Sequence, residues 1–444
     1  MKISILDCGA VEGTERVQTA YIQKAIDTCF LAGGGEVIIP KGNFLCGGLR
    51  LRSNVTLHLL EGAKLLGSRN LDDYRAFWDE DEFNPIPENY LPEYSTKGYN
   101  VGPIRGWFNA FIVVYNEKNV AIIGEKDAVI DGQNCYNPNG EERFRGPHCI
   151  TVIKTENVTF KGYTVENSSN WAHSVWTSKN ILVENVCVRA GHDGVHFTIC
   201  DNITVRNCQF YTGDDCIAGC ENYNVLVEDC ILNCACNAFR FSGKHVRIQR
   251  CRAFGPAQYA WRKSLTDEEK ANGVIATANE NRFCTMRAFF AYFMERAIVS
   301  PRFAPADIVI SDCTVENPQR FISYVADPNH PWYTTPMGDI TFKNITAKGV
   351  YVPMFFYGFE GGASARLLME NCDVAFLEDR RNNAAFKVGY FDKIELKNVT
   401  TNCTNEQNIA VYGKSGQIVI SGGNVQKPSE DDIYTMEQFG TTYV

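Results

Sequence analysis

Three aspartates are spaced so that they could share one site. Asp193 lies in GHDG (191–194), and Asp214 and Asp215 lie in TGDDCIA (212–218). Carboxylates held at close range cannot all ionise cheaply. One pKa rises, and that group keeps a proton near neutral pH while a neighbour stays charged. An acid beside a base is the equipment of hydrolysis, above all of glycosidic bonds. An inverting site needs the two about 6.5–9.5 Å apart, with water between them. Gly-Asp-Asp is also an ordinary turn sequence, and Asn and Asp ladders support bends in stacked strands. The chemistry therefore depends on whether the chain brings the three together.

The repeat of the chain supplies the means. Short strand-like segments recur as NVTF at Asn157, NILV at Asn180, NITV at Asn202, NVLV at Asn224 and HVRI at His245, 21 to 23 residues apart. That period is the length of one coil of a β-solenoid, in which residues one coil apart stack about 4.8 Å from each other. Asp193 and Asp214 are 21 residues apart, so the spacing predicts that they stack. The reading is an all-β parallel β-helix spanning 1–444 as a single domain, with an N-terminal helix cap and a helical insertion.

Within it, 1–68 form the cap and first coils. Gln18 to Ala32 has helical apolar spacing and stops at Gly33-Gly34-Gly35, and EVIIP and LRSNVTLHLL supply strands. Residues 69–110 form an aromatic-rich loop that either offers rings to sugars or packs them on the solenoid. The helical, amphipathic pattern of 265–305 predicts an insertion over one rim. Strands resume at DIVI (307), DITF (339), RLLME (366), KIEL (393) and QIVI (417), and 426–444 read as a polar tail or cap.

Composition narrows the partners. The net charge is −9, with no Lys/Arg run of the kind that binds nucleic acid or anionic membranes. No segment has the ~20 consecutive apolar residues of a membrane span. Eighteen cysteines invite a disulfide reading, but MKISILDCGA opens directly into fold sequence with no export signal, so the expectation is a reduced, cytoplasmic chain. Cys187, Cys208, Cys230 and Cys251 keep repeat spacing and are expected to stack as small buried residues. No His/Cys set has zinc-type spacing, so no metal or cofactor is expected.

Several motifs in order resemble glycoside hydrolase family 28, the polygalacturonase family of right-handed parallel β-helices. They are LDCGAVEGT, GGGEVIIPKGNF (33–44), LRSNVTLHLLEGAKLLGS (51–68), IDGQ (130–133), NSSNWAHSVW (167–176), GHDG and TGDDCIA. The resemblance runs from about residue 3 to about 230. It implies that Asp214 is the general acid, that Asp193 and Asp215 orient and deprotonate water, that the anomeric centre is inverted, and that no metal takes part.

Four departures gather on the substrate side. Gly191-His192 replaces Asn-Thr before Asp193. Gly219-Cys220-Glu221 follows the paired aspartates in place of Lys-Ser-Gly. Asn237 stands where the family has the histidine of Gly-His-Gly, and it can still donate a hydrogen bond. AWRKS (260–264) is a loose counterpart of Arg-Ile-Lys that keeps Lys263 and sets Trp261 in place of the arginine. Arg240 either grips a substrate carboxylate or pairs with Asp214 or Asp215. Trp261 either stacks on a pyranose or packs in the core. His173, His192 and His196 fall near the cluster as substrate contacts or packing residues, and His192 is the candidate to orient an aspartate because it occupies a motif position.

The combined expectation is an inverting, exo-acting hydrolase of uronate-containing pectic oligosaccharides, either galacturonan or rhamnogalacturonan. The competing readings are a uronate lyase or epimerase on the same fold and a non-catalytic carbohydrate-binding solenoid.

Overall fold

A computed structural model describes residues 1–74, 109–140, 144–260, 284–294, 304–329, 335–362, 365–413, 415–428 and 433–434. Its strands pair in parallel, each with the strand one coil onward, which makes the chain a parallel β-helix. Three strand rows run along it. The first row includes Glu156–Lys161, Lys179–Glu184 and Asp201–Arg206. The second includes Thr164–Glu166, Cys187–Ala190 and Gln209–Thr212. The third includes His148–Ile153, His173–Trp176 and Val195–Thr198. The long strands Ile217–Glu228 and Asn237–Gln249 join the third row to the first.

Strand alternation builds the core. Val158 and Phe160, Ile181 and Val183, Ile203 and Val205, and Val225 and Val227 stack inward on successive coils and are buried. The N-terminal end is closed by the helix Thr19–Leu31, which buries Ile22, Ala25, Ile26 and Cys29. The chain leaves it through Gly33 and Gly34 at positive φ, which only glycine adopts without strain.

The corner entering the first row carries a side-chain ladder. Asn54, Asn119, Asn157, Asn180, Asn202 and Asn224 all take left-handed backbone, with φ between 55° and 61°. Each amide from Asn119 onward donates to the asparagine one coil before, at 2.8–3.1 Å. Asparagine tolerates this backbone better than other side chains, and its amide can donate and accept at once, so it can continue such a ladder.

A second column is sulfur. Cys208, Cys230, Cys251 and Cys313 are stacked and buried. Cys187 does not belong to it. Its level partner is Gln209, while Val186 bonds the Gln209 amide and lies in the core, so Cys187 is only half-buried. The coils here are 22 residues long, and a 21-residue step lands one place off.

Two further expectations change. Within 265–305, the described part is not helical: Ala288–Tyr292 is a strand that continues the third row against Asn237–Phe241. Its sequence AFFAY is bulky and aromatic, and a short apolar run does not separate helix from strand by period alone. Within 426–444, Ile433–Tyr434 pair with Val411–Tyr412 and extend the solenoid. Of the aromatic loop, Leu71–Tyr74 form a short 3-10 turn whose Tyr74 is buried against Phe111, and 75–108 lie outside the described residues.

Asn202→Ala removes the bonds to Asn180 and from Asn224 and leaves alanine at φ 58°. We expect a loss of about 2 kcal/mol, from backbone strain and lost hydrogen bonds together, read as a lower urea midpoint with unchanged slope.

Candidate active site

The corner between the second and third rows stacks three turns: Gly191–Gly194, Gly213–Cys216 and Ala235–Cys236. Glycine is needed because the turns nearly touch. A Cβ on Gly194 would lie 2.5 Å from the Cys216 carbonyl oxygen, and one on Gly213 would lie 2.4 Å from the Gly191 carbonyl oxygen. The glycines of both aspartate motifs thus let the carboxylates come together.

The true step is 22 residues, so Asp193 is level with Asp215 rather than with Asp214. The Asp215 amide donates to Asp193 Oδ1 at 3.3 Å, and the Gly194 amide donates to the Asp215 carbonyl. One coil on, Asn237 is level with Asp215 and donates to its Oδ1 twice, from the backbone amide at 2.9 Å and from Nδ2 at 2.7 Å. Asn237 therefore positions Asp215. Asp214 faces Arg145, whose Nη2 lies 3.5 Å from Asp214 Oδ2 and whose Nη1 donates to Asn170 Oδ1 at 3.2 Å. Arg240 Nη1 is 4.0 Å from Asp215 Oδ2, and its guanidinium lies over the Phe293 ring at 3.9 Å.

All three aspartates are at least 97% removed from solvent. Burial, with the charges of Asp214 and Asp193, pushes the Asp215 carboxyl up to about 7, against the opposing pull of Arg240 and Asn237. Asp214, Asp215 and Cys236 also bring possible metal-ligand atoms within 4.8 Å of one another. The guanidinium groups beside Asp214 and Asp215 already supply positive charge there.

The histidines divide by strand parity. His173 is level with Val195 in the inward column and is fully buried. Its ring nitrogens bond the Tyr163 hydroxyl and the Gly194 carbonyl, both at 3.0 Å, and burial lowers its pKa to about 4. It supports the turn from inside and is not offered to substrate, contrary to the sequence expectation. His192 is fully buried against Phe144, ring centroids 5.7 Å apart, and is likewise not presented to a ligand. His196 is outward. Its Nδ1 lies 3.0 Å from Asp193 Oδ2, and its ring lies flat on Trp171 at 3.8 Å. Trp261 and Lys263 lie outside the described residues.

Sequence reasoning missed Arg145, which has no motif and reaches the site through the excursion 132–147. It also gave His192 the place that His196 takes beside Asp193. Parity was the available signal, since Ser174 and His196 are level and lie one position out from the core column.

Residues 100–237 match the family model for glycosyl hydrolases family 28. The chain is similar to a probable polygalacturonase of Vitis vinifera, 26% identical over 238 residues that cover 50% of this chain and 45% of the relative. It is also similar to an exo-poly-alpha-D-galacturonosidase of Dickeya chrysanthemi, 27% identical over 263 residues that cover 48% of this chain and 41% of the relative. Less than half the length of these relatives is thus matched. Among solved structures, the family 28 exopolygalacturonase of Yersinia enterocolitica superposes with a TM-score of 0.68 at 17% identity, covering 97% of this chain and 79% of that one, which shows the shared fold.

The raised Asp215 carboxyl has a signed consequence. Below about pH 4 it is protonated in both folded and unfolded chains. Between about 4 and 7 the unfolded chain releases the proton while the fold keeps it, so stability falls as pH rises, and above about 7 the full cost is present. Asp215→Asn removes that cost and keeps an oxygen for Asn237. We expect its melting temperature to match the parent near pH 4 and to exceed it increasingly towards pH 8, by calorimetry across that range.

Proposed function

We propose that the chain, whose residues 100–237 match the family model for glycosyl hydrolases family 28, is a member of that family and hydrolyses glycosidic bonds of pectic, uronate-containing oligosaccharides with inversion, acting from a chain end. One observation carries the reading: three buried carboxylates on adjoining turns, braced by Asn237 and by the guanidinium groups of Arg145 and Arg240.

The proposed roles follow from the contacts. The cluster holds a proton near neutral pH, and in the free site Asp215 retains it. Asp214 and Asp215 bring carboxylate oxygens within 4.8 Å of each other, close enough for the charge of one to govern the protonation of the other. With that proton on Asp214 instead, Asp214 is armed to protonate the leaving-group oxygen and Asp215 is charged. Asp193 and Asp215 then hold the attacking water, and the base takes one of its protons as the bond to the anomeric carbon forms. His196 fixes one oxygen of Asp193 and leaves the other level with Asp215. Trp171, lying flat on His196, holds that ring in place.

Arg240 combines both of its sequence readings. It offsets the charge of Asp215 and, half-buried at the edge of the cluster, offers its fork to a sugar carboxylate. Most of the cysteines are buried as small packing residues, which fits the proposed reducing compartment, where imported short oligosaccharides would be the substrate.

The test is a product assay on galacturonan and rhamnogalacturonan fragments. We expect new reducing ends from the parent, inverted anomers by NMR at early times, and turnover lower by roughly a thousandfold in Asp214→Asn. An ultraviolet-absorbing unsaturated product would instead identify a lyase, and tight binding with no turnover in either form would identify a binding solenoid.

A further inference from the structure

One outward column of the third row extends well past the carboxylates. His196, Ala218, Arg240, Ala291, Ser323, Phe355 and Lys387 follow one another in parallel register. Their strand neighbours point into the core, among them Val195, Ile217, Phe239, Phe290, Ile322, Phe356 and Val388. The column is therefore a straight strip on the outer face, and it begins at the ring bonded to Asp193.

Positive charge occupies two stations on this strip. The first is Arg240. Between the stations the floor is Ala291 and Ser323, both small and half-exposed. The second station is Arg320, Phe355 and Lys387. Arg320 is level with Ala288, which is level with Asn237, which is level with Asp215. Three steps of about 4.8 Å carry it about 14 Å along the helix from the aspartates.

The guanidinium of Arg320 lies over the Phe355 ring at 3.6 Å, and its Nε donates to the Pro353 carbonyl at 2.9 Å. These contacts fix its plane and leave its terminal nitrogens without a carboxylate partner among the described residues. Lys387 stands next to Phe355 on the following coil. Burial, and then the charge of Arg320, lowers the Lys387 pKa, and burial brings Arg320 down to about 10. Lys387 thus feels the charge of Arg320, and a carboxylate placed between them would meet both cations.

We propose that Arg320, Phe355 and Lys387 form a distal carboxylate subsite, which binds a uronate sugar of the same chain whose other end lies at Asp193, Asp214 and Asp215. Phe355 underlies the sugar, and the two cations take its carboxylate. The subsite rests on the reading of an acidic oligosaccharide substrate and adds a length requirement to it. A chain must reach past Ala291 and Ser323 before the second station contributes.

Binding, rather than turnover, tests this, so the two readings fail separately. Calorimetry uses the full chain carrying Asp214→Asn, with di- to hexagalacturonate and the same oligomers reduced to neutral galactose. The expected result is a rise in affinity of tenfold or more once the acidic chain is long enough to span both stations, and a much smaller rise for the neutral series. Arg320→Gln removes that step and leaves digalacturonate binding unchanged. Lys387→Gln, at a more exposed position, reduces the step and guards against a folding defect at Arg320. Equal affinity of long chains for parent and both variants overturns the subsite, as does the absence of any length step. A length step lost in the variants, with no hydrolysis by the Asp214 form, keeps the subsite and removes the hydrolase reading.

Discussion

Coil-on-coil register is the constraint from which the rest follows. A parallel β-helix has no sequence-distant packing to correct an error of one residue, because each strand is held mainly by the strands before and after it. A slip by one would turn the core column of Val195 and Ile217 outward and the His196 column inward. The asparagine ladder opposes this slip at the entry to the first row, since each left-handed corner must meet an amide at one height. The same register, read at another corner, makes Asp215 level with Asp193 and Asn237 level with Asp215. The geometry of the acid cluster is thus inherited from the geometry of the stack.

Charge is handled locally in a chain that is acidic overall. The carboxylates sit where water is excluded, and Arg145, Arg240 and Asn237 share the cost of burying them. Complete neutralisation would abolish the raised carboxyl needed by an acid, and no neutralisation would unfold the turn. Asp215 lies between these limits, with burial and two like charges outweighing one guanidinium at 4.0 Å and one amide.

The fold was legible because its signals are local and repeated. The NVTF-type segments mark the first row, and their left-handed asparagines, visible as the first letter of NVTF, NILV, NITV and NVLV, are the ladder itself. The aspartate cluster was legible through its glycines and spacing, but the height of each aspartate was not. A period of 21 to 23 residues blurs one position, and one position decides whether Asp214 or Asp215 faces Asp193. The same blur put Cys187 in a column that Val186 occupies. His173 and His192 were misjudged because nearness in sequence says nothing of parity. Arg145 was beyond reach, since it arrives on an excursion whose return point only the folded chain reveals. The strand Ala288–Tyr292 was read as helix because an apolar run carries no period of its own.

Three of the connections from a second-row strand to a third-row strand are long in sequence, 68–109, 132–147 and 255–287. That is the corner of Asp193, Asp214 and Asp215, while the asparagines occupy the next corner around the coil. Along the ladder from Asn119 to Asn202 the asparagine corner is short on every coil, and only past the ladder do 293–305 and 326–338 lengthen that corner too. Loop length beside the cleft is therefore free to vary among descendants of this chain without a residue of the ladder changing, and new substrates can be tried at little risk to the scaffold.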